Sequence, residues 1–263
     1  GDPRVDMVSF TGSTAVGKHI MARAAQTVKK VFLELGGKSA NIILDDADLD
    51  SSLLSSLAVC FHAGQGCAIQ TRLLVPRARQ AEVDEKLKMF FGFIEYGDPT
   101  SDSQLMGPLV NAKQRDRVLA YIEKGKEEGA RVLLGGGTPA HLDRGYYVEP
   151  TVFVDVTNDM TIAREEIFGP VITLQPFDTD EEALTLANDS RYGLASTVWT
   201  SDLNRAHKIS EQINTGIVWV NSWLFRDLRT PFGGMNNSGL GREGGMEAMR
   251  FFTETKNVCI KYD

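Results

Sequence analysis

The chain has 263 residues, 42% of them hydrophobic and 24% charged, enough apolar material for one large domain or two modest ones with a real core. A formal net charge of -7 with scattered Lys and Arg argues against nucleic acid or an anionic membrane surface as partner. No apolar run approaches the ~20 residues of a membrane span, no charged-then-apolar leader opens the chain, and three cysteines are an odd count, as expected of reduced thiols in a cytoplasmic protein.

Strand-like and helix-like segments alternate. Val8 to Thr11 reads as a short strand, and Gly12-Ser13-Thr14-Ala15-Val16-Gly17 as a turn into a helix reaching about Ala25. Val31 to Leu35 is apolar and β-leaning, and Ala40 to Leu44 reads as a buried strand. Asp48 or Asp50 can cap a helix reaching about His62. A strand follows over Thr71 to Val75 and a helix over Ala78 to Phe91. Asn111 caps a long polar helix to about Glu128, with Val118, Leu119 and Ile122 on one face. Further strands are expected near Val132, Val152 and Val171, over Leu194 to Trp199 and over Gly216 to Val220. Thr179 caps a helix to Asn188, another runs from Leu203 to Gln212, and Val258 to Lys261 alternates like a terminal strand. The alternation predicts an α/β fold with mostly parallel strands. The opening strand has no lead-in, which predicts that part of the protein precedes Gly1.

Five stretches carry chemistry. Phe10 to Gly17 can offer free backbone N–H groups and a positive helix end to a phosphate, with the Ser13 hydroxyl as a further donor; alone it is equally an ordinary strand-to-helix turn. Glu34 precedes Gly36-Gly37, which permit close backbone approach to a ligand, although a carboxylate at a strand end is commonly just a surface group. Cys67 ends Gly64-Gln65-Gly66-Cys67, where small neighbours leave sulfur reachable; a buried inert cysteine is the plainer alternative. Arg164-Glu165-Glu166-Ile167-Phe168-Gly169-Pro170 puts a carboxylate pair and an aromatic at a turn, suited to a ribose diol and a flat ring, or simply to a helix-end charge cluster. Arg226 and Arg229 lie ahead of Phe232-Gly233-Gly234, where arginines can grip a carboxylate or form surface ion pairs. Cys60, His62 and Cys67 lack paired-ligand spacing, so no metal site is expected.

Together and in this order, the five motifs resemble the NAD(P)-dependent aldehyde dehydrogenase superfamily over essentially the whole chain. The resemblance implies an α/β catalytic domain with a parallel sheet and flanking helices, plus a remnant of a Rossmann-like cofactor domain. It implies that Cys67 is the nucleophile and Glu34 the base for thioester hydrolysis. NAD or NADP would be held by Gly12 and Ser13 on the pyrophosphate side, by the Leu35 backbone, by Glu166 on the nicotinamide ribose and by Phe168 near the ring. Phe232 would line the substrate tunnel. His62 stands where the family more commonly has Asn.

Members of this family are much longer than this chain. The resemblance therefore implies a C-terminal half, with 1–35 a remnant of the cofactor domain, 36–237 the catalytic domain and 238–263 a tail whose strand near Val258 joins a homodimer or homotetramer interface. The second oxyanion donor and the adenosine-ribose residues are expected before Gly1. The run Trp223 to Phe232 resembles the subgroup acting on 2-hydroxymuconic or 2-aminomuconic semialdehyde, which implies a small acidic aldehyde bound through Arg226 first and Arg229 second.

Overall fold

A computed structural model describes residues 2–263. It opens with β1 (Met7–Thr11), α1 (Thr14–Ala24) and β2 (Lys30–Glu34), followed by β3 (Ser39–Ile43), α2 (Leu49–Leu54), β4 (Gln70–Pro76), α3 (Gln80–Gly92) and α4 (Ala112–Glu127). The second half holds β5 (Arg131–Leu134), β6 (Thr151–Val154), the one-turn α5 (Thr161–Arg164), β7 (Val171–Phe177) and α6 (Asp180–Asn188). Then come β8 (Ala195–Trp199), α7 (Leu203–Gln212), β9 (Ile217–Val220), β10 (Gly239–Leu240) and α8 (Gly245–Phe252).

The strands form two sheets. The smaller has the order β1-β2-β10, with β1 parallel and β10 antiparallel to β2. The larger has the order β5-β6-β7-β4-β3-β8-β9 and is parallel apart from its β5–β6 edge. This is the α/β class read from the sequence, with mixed sheets.

Every residue of β3 is buried, because apolar layers cover both of its faces. The period-two geometry of a strand divides it between them. Ile42 and Leu44 pack with Ala183 and Ala187 of α6 and Ile209 of α7. Ile43 packs on the other side with Val83 and Leu87 of α3 and Val118 and Ile122 of α4. Burying each such side chain contributes roughly 1.5–3 kcal/mol, so the central strands are the rigid base for the loops at their ends. Side-chain caps fix the helix starts. Asp48, rather than Asp50, accepts the Ser51 N–H, Asn111 accepts that of Gln114 and Thr179 that of Glu182.

Two expectations change. The helix after Asp48 ends at Leu54 and continues only as tight turns to Gly64, because His62 and Ala63 take φ of 52° and Gly64 φ of 72°. A Cβ on Gly64 would stand 2.0 Å from the Gly169 carbonyl oxygen, so the turn is packed too closely for any other residue. The strand expected over Val258 to Lys261 is absent, since a strand needs a ladder partner and none of the described residues supplies one. Conversely, β10, α5 and α8 carried no recognisable sequence signal. Among the described residues no helix is long and apolar enough to cross a membrane.

Candidate active site

The carboxyl ends of β1 and β2 face a cleft of about 850 Å³, and the turn leading into β4 supplies its opposite side. Gly12 follows β1, and its N–H donates to the Glu34 carbonyl at 3.0 Å. A Cβ there would meet the tip of the Phe10 ring at 2.4 Å, so the ring lies directly over this glycine. Ser13 caps α1 by accepting the Val16 N–H. The first turn of α1 thus points its positive end into the cleft.

Glu34 closes β2, paired with Thr11 on one side and Gly239 on the other. It is 5% exposed, and neither carboxyl oxygen has a hydrogen-bond partner among the described residues. Burial, reinforced by the nearby Glu243 carboxylate and opposed by Arg226 and Arg242, pushes its pKa up to about 7. Glu34 therefore exchanges its proton near neutrality, which is what a general base requires.

Cys67 is half-buried and unpaired in a disulfide. Burial first and the Glu34 charge second push the thiol up to about 11, while the backbone N–H groups of Cys67 and Ala68 favour the thiolate. Its apolar neighbours are Ala68, Leu194, Trp219 and Phe232, with Trp223 against the same cluster. Trp223 donates its indole N–H to the Ala68 carbonyl at 3.3 Å, tying the 222–231 loop to the backbone beside the thiol.

Glu166 reaches the cleft from the turn after α5. Its Oε1 accepts the Gly37 N–H at 3.0 Å, and a Cβ on Gly36 would lie 2.1 Å from its Oε2. Gly36 is therefore needed to admit this carboxylate, and Gly37 to clear the Cys67 carbonyl oxygen, which a Cβ there would approach to 2.7 Å. Phe168 lines the cleft at φ of 59°, a conformation uncommon for a bulky residue and characteristic of functional turns. Gln114 of α4 holds that turn by donating to the Ile167 and Phe168 carbonyls, and Arg117 donates to the Glu166 carbonyl at 2.9 Å. Sequence reasoning missed Gln114 and Arg117. Their only signal was their place on the polar face of α4 near a capped N-terminus. Lys18, Lys113 and Arg191 also line the cleft and were likewise unmarked.

The remaining candidates divide. Leu35 is buried, donates its N–H to the Ser238 carbonyl at 2.9 Å and fills the space above Gly17. Phe232 is buried beside Cys67. Arg226 stacks 4.2 Å from the Phe232 ring centre and pairs with Glu243 at 3.2 Å. It is near enough to Glu34 to favour that residue's charged form. Arg229 is exposed and paired with Asp227, apart from the other candidates. No group of three or more His, Cys, Asp or Glu side chains is placed to hold a metal ion among the described residues.

A sequence profile of the aldehyde dehydrogenase family matches residues 1–258. The chain is 44% identical over 263 residues to a 2-hydroxymuconic semialdehyde dehydrogenase of Pseudomonas putida, covering 98% of this chain and 54% of that protein. It is 45% identical over 260 residues to a betaine aldehyde dehydrogenase of Rhizobium etli, covering 98% of this chain and 53% of that one. Among solved structures, a Mycobacterium tuberculosis aldehyde dehydrogenase complexed with NAD+ superposes with a TM-score of 0.93 at 50% identity, covering 96% of this chain and 52% of the other. The chain thus spans about half the length of the curated relatives it matches. A matching profile over nearly all of its residues, and a fold shared at this level of identity, mean that the chain belongs to the aldehyde dehydrogenase family.

Proposed function

We propose that the enzyme carrying this sequence oxidises an aldehyde to a carboxylic acid with NAD+, or with NADP+, through a covalent adduct on Cys67. The convergence of Cys67, Glu34 and Glu166 on one cleft carries the reading. The Cys67 thiol gives up its proton to solvent water as the sulfur adds to the aldehyde carbon and the carbonyl π bond breaks, and the backbone N–H of Cys67 donates to the oxygen as it gains charge. The dinucleotide, when bound, supplies the two-electron acceptor that converts the thiohemiacetal into a thioester. Glu34 then takes a proton from the water that hydrolyses the thioester.

The side chains around the cleft suit the cofactor. Gly12 and Ser13 at the α1 N-terminus are assigned to the pyrophosphate, the Leu35 backbone to the carboxamide, and Phe168 to the nicotinamide ring. Glu166 is assigned to the ribose hydroxyls; its Oε1 is held by Gly37, and Oε2 accepts no hydrogen bond among the described residues. We assign 1–35 to the cofactor domain, 36–237 to the catalytic domain and 238–263 to a tail that joins a homodimeric or homotetrameric interface in the cytoplasm. The substrate is assigned as an acidic semialdehyde, with Arg226 binding its carboxylate. The likeness to 2-hydroxymuconic semialdehyde dehydrogenase supports this choice.

The test measures NADH formation from 2-hydroxymuconic semialdehyde and from betaine aldehyde with the protein extended to the length of its relatives. Cys67→Ser is expected to lower kcat/KM at least a thousandfold; rates equal to those of the unmutated protein would sink the mechanism. The half-length span favours a second reading, in which these 263 residues alone form a non-catalytic module. Absence of NAD binding and turnover by the isolated chain would support it.

A further inference from the structure

Gln65 stands two residues before Cys67 and lines the same cleft. Residues 65–69 belong to no strand or helix, so no ladder of backbone bonds holds the turn that carries the sulfur. The Gln65 carboxamide supplies two bonds instead. Its Nε2 donates to the His62 carbonyl at 2.9 Å, inside its own loop. Its Oε1 accepts the Val110 N–H at 3.1 Å, across 45 residues of sequence. A carbonyl on one side and an N–H on the other fix which end of the amide is which, and they require a side chain that donates and accepts at once. Both polar atoms of this cleft-lining residue are thus turned to the backbone, which suits it to hold the site rather than to touch a substrate.

Val110 is itself anchored. Its neighbours are Leu109, buried and bonded through its N–H to the Tyr146 carbonyl at 3.0 Å, and Asn111, the cap of α4. The first two turns of α4 carry Gln114 and Arg117, which hold the carbonyls of Ile167, Phe168 and Glu166. One helix start therefore fastens two otherwise separate pieces, the turn bearing Cys67 and the turn bearing Glu166 and Phe168. The two also touch directly, because Gly64 packs against the Gly169 carbonyl with no room for a Cβ. Groups that act together from separate loops must be held in register, and a misplacement of about 1 Å can cost about a hundredfold in rate.

We propose that Gln65 is a positioning residue for Cys67: its carboxamide ties the nucleophile turn to the start of α4, and so sets the sulfur against the Glu166–Phe168 turn. That this sulfur attacks an aldehyde rests on the proposed function; the tie does not. Untied, the turn is free to swing. The half-buried sulfur is then easier for a small reagent to reach and worse placed for a bound substrate.

The experiment compares Gln65→Met, which keeps the side-chain length and removes both bonds, with the unmutated protein at the length of its relatives. Alkylation of Cys67 by iodoacetamide without cofactor is followed by peptide mass spectrometry, and the fully buried Cys60 reports whether the fold is intact. In Gln65→Met, Cys67 is expected to react at least fivefold faster while Cys60 stays unmodified. In turnover, kcat is expected to fall at least tenfold, with KM for the aldehyde and the affinity for NAD+ within threefold. Val110→Pro removes the donor from the other end of the tie, and the exposed Val110 side chain has little else to lose. It should speed the alkylation of Cys67 in the same way, and the double variant should be no worse than the more affected single one. A Cys67 alkylation rate within twofold of the unmutated value in either single variant overturns the proposal, as do effects that multiply in the double variant. Equal losses in kcat and NAD+ affinity, or modification of Cys60, would assign Gln65 to general stability and overturn it as well. If the unmutated protein forms no NADH, the proposed reaction fails, and the alkylation rates alone decide the tie.

Discussion

Gly37 donates its backbone N–H to Oε1 of Glu166 at 3.0 Å across 129 residues of sequence, joining the loop after β2 to the turn after α5. The neighbouring Gly36 has no room for a Cβ on that side. Gly36→Ala is therefore expected to displace the carboxylate and weaken NAD+ binding at least tenfold in the relative-length protein, measured by fluorescence titration. A dissociation constant within twofold of the unmutated value would show that Glu166 does not contact the cofactor.

Glu34 makes stability depend on pH in an unusual direction. Its pKa is raised from 4.5 to about 7 in the folded state, so between those values the native chain binds more proton than the unfolded one. Stability from this group is then present at low pH and is lost as the pH rises toward 7. Glu34→Gln removes the burden of the buried charge. It is expected to raise stability by about 2–3 kcal/mol at pH 8 and by far less at pH 5. Urea unfolding at the two pH values measures the difference; an equal gain at both would mean that Glu34 titrates normally. In the relative-length protein, the same variant should slow thioester hydrolysis while leaving the first rapid burst of NADH intact.

Arg226 stacks on Phe232 beside Cys67, whereas Arg229 is engaged with Asp227 at the surface. Arg226→Ala is accordingly expected to raise KM for an acidic semialdehyde at least tenfold, and that for a neutral aldehyde of similar size by less than threefold. Arg229→Ala should leave both within twofold. Steady-state kinetics with the two substrates decide between them, and equal losses on both for Arg226→Ala would end the substrate assignment.

The sequence exposed what is local. Asn111, Thr179 and Asp48 each cap the helix that follows, because a side-chain oxygen two or three residues from a free N–H needs no distant partner. The β3 and β4 runs were readable from their apolar content. Pairing across the chain was not. The two residues of β10 are too few to show a period, and they are a strand only because β2 lies beside them. Val258 to Lys261 has the right alternation and no partner strand among the described residues. The break at His62 and Ala63 escaped notice because neither residue advertises a left-handed backbone as Gly does. At the cleft, Glu34, Cys67 and Glu166 were visible through their glycine-rich surroundings. Gln114 and Arg117 were not, since what they hold is a pair of backbone carbonyls and a carbonyl beyond them, contacts that leave no trace in a polar helix face.

The antiparallel pairing of Gly239 and Leu240 with Leu33 and Glu34 also orders events in time. During synthesis Glu34 leaves the ribosome about two hundred residues ahead of Ser238, Arg242 and Glu243, which surround it in the fold. Until that later segment pairs with β2, Glu34 is an ordinary hydrated carboxylate beside an open strand edge. The abnormal proton affinity that suits it to its proposed task is thus acquired only when β10 closes over it.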